Sequence, residues 1–247
     1  MNENETSETP EAATPPALPQ KRDRLRYEAM PGGTGFAAVI DALLKKPGSL
    51  LFEWEEGRGG AVLKHLMLIA SGSFLIFGFL LGMFSGGDQL WAVPTKVFAG
   101  AFLSALITLP SLYVFSSLGG FDFTLKKATG LLLCGLTLIG VILIGLAPVL
   151  WIFTQSTDSL GFMGFLVLAF WIAALCFGIG MITRGARAFG DHSTAYLTFW
   201  SIIFVVVTLQ MSTSLRPLLG PAEETLLPTE KRFFLEHWGR VFQSRYD

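Results

Sequence analysis

The sequence predicts an all-α fold: a polytopic membrane helix bundle of five transmembrane helices, with amphipathic helices near both termini. Three observations predict it. Of the 247 residues, 51 % are hydrophobic and only 15 % are charged, against about 25 % charged in a soluble domain. Mean hydropathy is +0.54. Apolar runs of spanning length alternate with short polar turns, and no Asp or Glu falls inside those runs.

This composition excludes a soluble enzyme and a disulfide scaffold. The net charge of −1 and the pI of about 6.3 supply no basic field to draw in DNA or RNA. The expected partners are therefore the lipid bilayer and a membrane protein or further copies of the chain, with no nucleic acid. Cys134 and Cys176 both fall in apolar runs and read as small packing residues, not as a disulfide.

Residues 1–33 form an acidic, Pro-rich tail followed by the basic cluster Lys21, Arg22, Arg24 and Arg26. The tail buries too little apolar area to offset its chain entropy and is expected to be disordered. No secretory signal opens the chain, and the first long apolar run begins only after residue 60, so that run reads as an uncleaved span. Residues 34–60 are an amphipathic segment. Phe36, Val39, Ile40, Leu43 and Leu44 share one helical face, Thr34 can cap it, and Pro47-Gly48 stops it. Leu50, Leu51, Phe52 and Trp54 add a second apolar patch. Both pieces are too short to span, which suits either a helix in the membrane interface or a cytosolic helix packed under the spans.

The transmembrane domain occupies 61–217. Its runs at about 63–85, 96–118, 128–153, 161–183 and 195–215 are each long enough to cross roughly 30 Å of hydrocarbon. Turn-forming residues separate them, as in Ser85-Gly86-Gly87-Asp88, Gly119-Gly120-Phe121-Asp122, Gln155-Ser156-Thr157-Asp158 and Gly190-Asp191-His192-Ser193. Loops this short make consecutive helices antiparallel neighbours. Lys45, Lys46, Arg58, Lys64, Lys126, Lys127, Arg184 and Arg187 fall on one side, and only Lys96 on the other until Arg216. The positive-inside rule then puts the N-terminus in the cytoplasm and the C-terminus outside. Residues 218–247 read as an extracytoplasmic amphipathic helix capped by Thr229. Its Phe233, Phe234, Trp238, Val241 and Phe242 lie either in the outer headgroup layer or on the loops.

Within the spans the basic residues, Lys96 included, sit at run ends, where long side chains reach the interface. Gln210 is the most polar group of the fifth run, beside Thr208, Ser212, Thr213 and Ser214. Such groups either bond a neighbouring helix or touch a substrate. Gly78 and Gly82, Gly100 and Ser104, and Ala174 and Gly178 are small residues four apart, which supports a compact bundle or a homo-oligomer. Gly130, Gly135, Gly140 and Gly145 step by five and so make no single face. One motif recurs. Pro110-Ser111-Leu112-Tyr113-Val114-Phe115-Ser116 and Pro148-Val149-Leu150-Trp151-Ile152-Phe153-Thr154 both read Pro-x-Leu-aromatic-branched-Phe-hydroxyl. The pair fits either kinked helices related by inversion, as in transporters, or two ordinary aromatic anchors.

No catalytic constellation is present. His65, His192 and His237 are on separate segments, and HExxH, CxxC and GxSxG are missing. Asp122, Asp158, Asp191 and His192 read as solvated turn residues. No catalytic, cofactor or metal residue is expected, and the chain does not read as an enzyme.

Leu109-Pro110-Ser111-Leu112-Tyr113-Val114-Phe115, Gly145-Leu146-Ala147-Pro148, and Gln210-Met211 followed by Leu215-Arg216-Pro217 and Gly220 resemble an uncharacterised family of bacterial multi-pass membrane proteins. The resemblance covers roughly residues 35–245. Members often carry the label of actin-binding WASP-homology proteins, whose motif is a Leu-Lys-Lys set apart from a helix. Here Leu44-Lys45-Lys46 runs straight from a helix into Pro47, and Leu125-Lys126-Lys127 borders a span. In span count the chain is more distantly similar to Yip-type five-helix membrane proteins. The resemblance implies an inner-membrane location and no known reaction. The expected function is a non-catalytic membrane scaffold that organises lipids or a partner. Arg216 beside Pro217 is a candidate for lipid phosphate on one side, and Lys45 with Lys46 on the other. The alternative is a small transporter or channel subunit that uses Pro110, Pro148 and Gln210.

Overall fold

In the computed structural model, residues 29–30, 33–57, 59–121, 124–187 and 195–214 are described. They form seven helices: α1 (Phe36–Lys45), α2 (Pro47–Glu55), α3 (Gly59–Ser85), α4 (Gln89–Leu118), α5 (Leu125–Ser156), α6 (Leu160–Arg187) and α7 (Ala195–Ser214). No strand occurs among the described residues. α3, α4, α5 and α6 are each long and apolar enough to cross a membrane. The acidic tail, the C-terminal amphipathic segment, Arg58, Asp122, Asp191, His192, Arg216 and Pro217 lie outside the described residues.

The short segment before the long helices packs against them. Pro47 begins α2 directly after α1, because a missing N–H costs nothing at the first helical position. Val39 and Leu43 of α1 and Leu50 and Leu51 of α2 are buried. α2 meets α3, α5 and α6, and the Trp54 ring lies over Gly130 of α5. The carboxylate of Glu53 is buried here too, accepting the Met30 backbone N–H at 3.0 Å.

α5 is the hub of the bundle. It packs along α3 and α6, and α3 in turn packs along α4. Thr137 of α5 donates one hydroxyl to two helices, to Leu133 O at 2.7 Å and across to Leu66 O of α3 at 3.3 Å. Phe74 of α3 stacks on Trp171 of α6 at 6.1 Å and meets Phe102 of α4 edge-on at 6.2 Å, so one buried ring joins three helices. The expectation that consecutive helices are the closest neighbours holds for α3–α4 and α5–α6. It does not hold for α4–α5, which touch over a short stretch, or for α6–α7, which barely meet. A short loop fixes where a helix starts but not which way it leans, so the broadest contact is between α3 and α5, which are not consecutive.

Glycines set these contacts. A Cβ on Gly78 would lie 2.6 Å from Pro94 Cα, and one on Gly82 would lie 2.7 Å from Gln89 O. The Gly78/Gly82 pair therefore seats α4 on α3 within one chain. The step of five in α5 has a purpose that its lack of a common face concealed. Five residues turn a helix by about 140° beyond one full turn, so successive glycines face different neighbours. Gly130 admits Trp54, Gly135 admits Ile182 of α6 with 2.5 Å to its Cδ1, and Gly140 admits Ser73 of α3 with 3.0 Å to its Cβ. Gly178 of α6 returns the contact, receiving Ile139 of α5. Gly145 faces open space. The α3–α4 turn needs glycine for another reason: Gly86 and Gly87 have φ of 66° and 53° in succession.

Gly78→Ala and Gly135→Ala should each lower stability by about 1–3 kcal/mol, because a methyl group there meets backbone or a fixed Ile side chain. Gly145→Ala should cost nothing. Thermal unfolding midpoints of the purified variants in one detergent check this.

Candidate functional site

The buried polar side chains of the long helices gather mainly on α4 and α7. On α4 they are Gln89, Lys96, Ser104, Thr108 and Ser116, and on α7 they are Ser201 and Thr208. Gly100, Ser104, Thr108, Leu112 and Ser116 recur every four residues and are all buried. A step of four falls 40° past a full turn, so this face wraps slowly around α4. It meets α3 at one end and α7 further along.

Most hydroxyls on the stripe turn back to their own helix. Ser104 Oγ donates to Gly100 O at 2.7 Å, Thr108 Oγ1 to Ser104 O at 2.7 Å, and Ser201 Oγ to Leu197 O at 2.7 Å. This is the ordinary way for Ser and Thr to stay satisfied in an apolar helix. Two do not. Ser116 Oγ and Thr208 Oγ1 are buried with no hydrogen-bond partner.

Trp200 supplies a hydrogen bond between the two helices. Its indole Nε1–H donates to the Thr108 carbonyl at 3.1 Å, 92 residues away in sequence. The ring is fully buried and Phe204 stacks on it at 5.3 Å, with 10° between the planes. Phe199, in the second turn of α7, meets Phe115, near the end of α4, at 5.3 Å. The two helices therefore run in opposite directions.

Lys96 is a correction to the sequence reading. It does not sit at a span end reaching outward. α4 starts seven residues earlier, at Gln89, with Pro94 inside it, and Lys96 is buried at 6 % exposure. The apolar run begins at Lys96, but the helix does not. Pro94 near the start of a helix is tolerated, and its backbone packs on Gly78.

The other candidates are placed as follows. Pro110, Tyr113 and Pro148 all face outward, and α4 and α5 continue as helices through their prolines. The two prolines therefore do not converge with Gln210, which is half-buried in the last third of α7. Gly78, Gly82, Gly100 and Ser104 are buried in helix contacts. Cys134 is buried and Cys176 exposed, both as free thiols. His65 shares a hydrogen bond with the Ala61 carbonyl, and Asp158 is exposed. Among the described residues no three of His, Cys, Asp and Glu gather as a metal site. The Trp200–Thr108 bond and the burial of Lys96 were not legible, since both depend on which helices meet. The i, i+4 spacing of Ser104 and Thr108 was the available signal.

Trp200→Phe keeps the ring and removes the N–H, so it should lower stability by about 0.5–1.5 kcal/mol. Trp91→Phe, at a ring that is 79 % exposed, should leave the unfolding midpoint unmoved.

No family model, curated protein or solved structure matches the chain.

Proposed function

We propose that the chain is a non-catalytic integral protein of a bacterial inner membrane, crossing it five times and organising lipids or a partner protein. The observation that supports this reading is close helix packing: the contacts at Gly78, Gly82, Gly135 and Gly178 and the three-helix contact at Phe74 bring the long helices together. Pro110 and Pro148, the prolines proposed for a kinked transport path, face outward instead.

The fifth crossing is α7. Its 20 residues rise about 30 Å, the thickness of the hydrocarbon core. Orientation follows from charge. Lys45, Lys46, Lys64, Lys126, Arg184 and Arg187 are exposed at the end that carries α1 and α2, which supports a cytoplasmic N-terminus. In that orientation the same cations meet anionic headgroups of the inner leaflet. Outward-facing Leu106, Ile107, Phe165, Phe177, Phe199 and Ile202 supply apolar surface for lipid or a partner helix.

A second reading, a transporter or channel subunit, is favoured by one observation. A buried lysine heads a stripe of hydroxyls on α4, and buried charges in membrane helices often mark ion paths.

One experiment separates the two. Purification from native membranes in mild detergent should bring down a stoichiometric protein or lipid, and the reconstituted protein should pass no solute. Gln210→Leu should then alter assembly alone. A solute flux that disappears in Gln210→Leu would establish the second reading instead.

A further inference from the structure

α6 ends at the same end of the bundle as α1 and α2. A Cβ on its Gly185 would meet Leu131 of α5 and Leu51 of α2. The last turn of α6 carries Arg184 and Arg187, both exposed. Arg184 does not reach away from the bundle. Side chains on a helix lean toward its N-terminus, and the N-terminus of α6 is at the opposite end. The guanidinium folds back one turn, and its Nε–H donates to the Gly180 carbonyl at 2.7 Å. Gly180 has no side chain in the way: a Cβ there would lie 3.4 Å from Arg184 Nη2. The bond holds the guanidinium in place with its Nε and leaves the Nη groups to bond something else.

The surface beyond these arginines is apolar. At about 100° per residue, Ala173, Phe177, Gly180, Arg184 and Arg187 share one face of α6, turned away from the buried Gly178 and Ile182. Phe177 is exposed on that face, with Cys176 and Ile172 beside it. α7 barely meets α6, and no Asp or Glu occurs in α5, α6 or α7. Asp41, at this end, pairs with Lys45 of its own helix. The height of Arg184 is also marked by a second helix. On α5, Gly140 meets Ser73 of α3, and further toward the α2 end Leu131 meets Gly185. An equal count back from Ser73 along α3 reaches Lys64, which is exposed. Arg184 and Lys64 therefore offer cations at about one level, as a layer of headgroups requires.

We propose that Arg184 and Arg187 hold the phosphodiester of an anionic phospholipid, whose acyl chain lies along α6 past Phe177 and Ala173. Two cations at the foot of an exposed apolar face match a molecule with a negative head and an apolar tail. A guanidinium fork suits phosphate oxygens better than an ammonium does, and a second arginine disfavours a headgroup that carries its own cation. The site deepens the lipid-organising reading given above and rests on its placement of this end at the inner leaflet.

The test uses the full-length protein in mild detergent, with bound lipid read by native mass spectrometry. Phosphatidylglycerol should bind, and phosphatidylcholine with the same chains should bind about tenfold more weakly. Arg184→Gln should weaken phosphatidylglycerol binding about tenfold, and Arg184→Lys nearly as much, because lysine keeps the charge and loses the fork. Lys45→Gln/Lys46→Gln removes two cations from the same end and should leave binding unchanged. If it weakens binding as much as Arg184→Gln does, diffuse attraction accounts for the lipid and the proposal is overturned. Inorganic phosphate that displaces the lipid at equal concentration overturns the lipid as ligand. A positional readout uses the unsubstituted protein in vesicles: phosphatidylglycerol with a photoreactive acyl chain should label α6 around Phe177, and labelling confined to other helices overturns the proposal. Solute flux with that labelling intact would sink the scaffold reading and leave the site standing. Missing labelling in a protein that passes no solute would do the reverse.

Discussion

Helices as apolar as these gain little from hiding side chains from each other when their alternative surroundings are equally apolar. What holds them is close van der Waals contact over a long seam, and closeness requires that the Cβ be absent at the crossing points. The structure depends on that constraint. Gly78 and Gly82 let α4 lie on α3, and Gly135 and Gly178 face each other where α5 crosses α6. Gly140 brings α3 to the third side of α5, and Gly130 lets Trp54 of α2 cover its second turn. Removing the side chain on three sides of one helix makes α5 the hub. The remaining helices are placed by what they find on α5 or on α3.

Polar groups are placed by the same logic applied to hydrogen bonds. A hydroxyl between tightly packed helices is satisfied cheaply by its own preceding turn, and Ser104, Thr108, Ser111 and Ser201 all take that route. Thr137 takes it and also reaches α3. A hydroxyl that stays on its own helix adds polarity without adding a link. The links between helices therefore fall to a few groups that cannot bond locally. An indole N–H has no reach to its own backbone in a helix, so Trp200 must find its acceptor on a neighbour and finds Thr108. Among the described residues two charged side chains are buried, Glu53 in α2 and Lys96 in α4.

What the sequence made legible was whatever depends on one segment at a time. Apolar length located the long helices, and the face shared by Val39 and Leu43 located the packed side of α1. The four-residue spacing of Gly78 and Gly82 marked a close crossing. Contacts between segments were harder to read. The α5 glycines look aimless when the question is which one face they make, because they serve three partners in rotation. Lys96 looked like a boundary marker because a lysine beside an apolar run ordinarily points to water. Its burial follows from α4 extending past the run through Pro94, and that extension depends on Gly78 of another helix. Pro110 and Pro148 carried a repeated motif strong enough to suggest a shared role, yet both face outward. Similar local sequence gives similar local structure and says nothing about convergence.

The position of α7 follows from these constraints together. It has one broad neighbour, α4, and it barely meets α6. Its buried positions Leu197, Trp200, Ser201, Phe204 and Thr208 form one narrow stripe, and none of them is a glycine. α7 therefore cannot approach α4 as closely as α4 approaches α3, and van der Waals contact alone holds it less firmly. The indole–carbonyl bond and the Trp200–Phe204 stack compensate with direction and area. They fix the rotation of α7 and its height on α4, because only one carbonyl receives the N–H. The other faces of α7 stay open, and Tyr196, Phe199, Ile202 and Val206 remain outward. The bundle thus has a packed core around α5 and, on α7, a helix whose outward apolar side chains remain exposed.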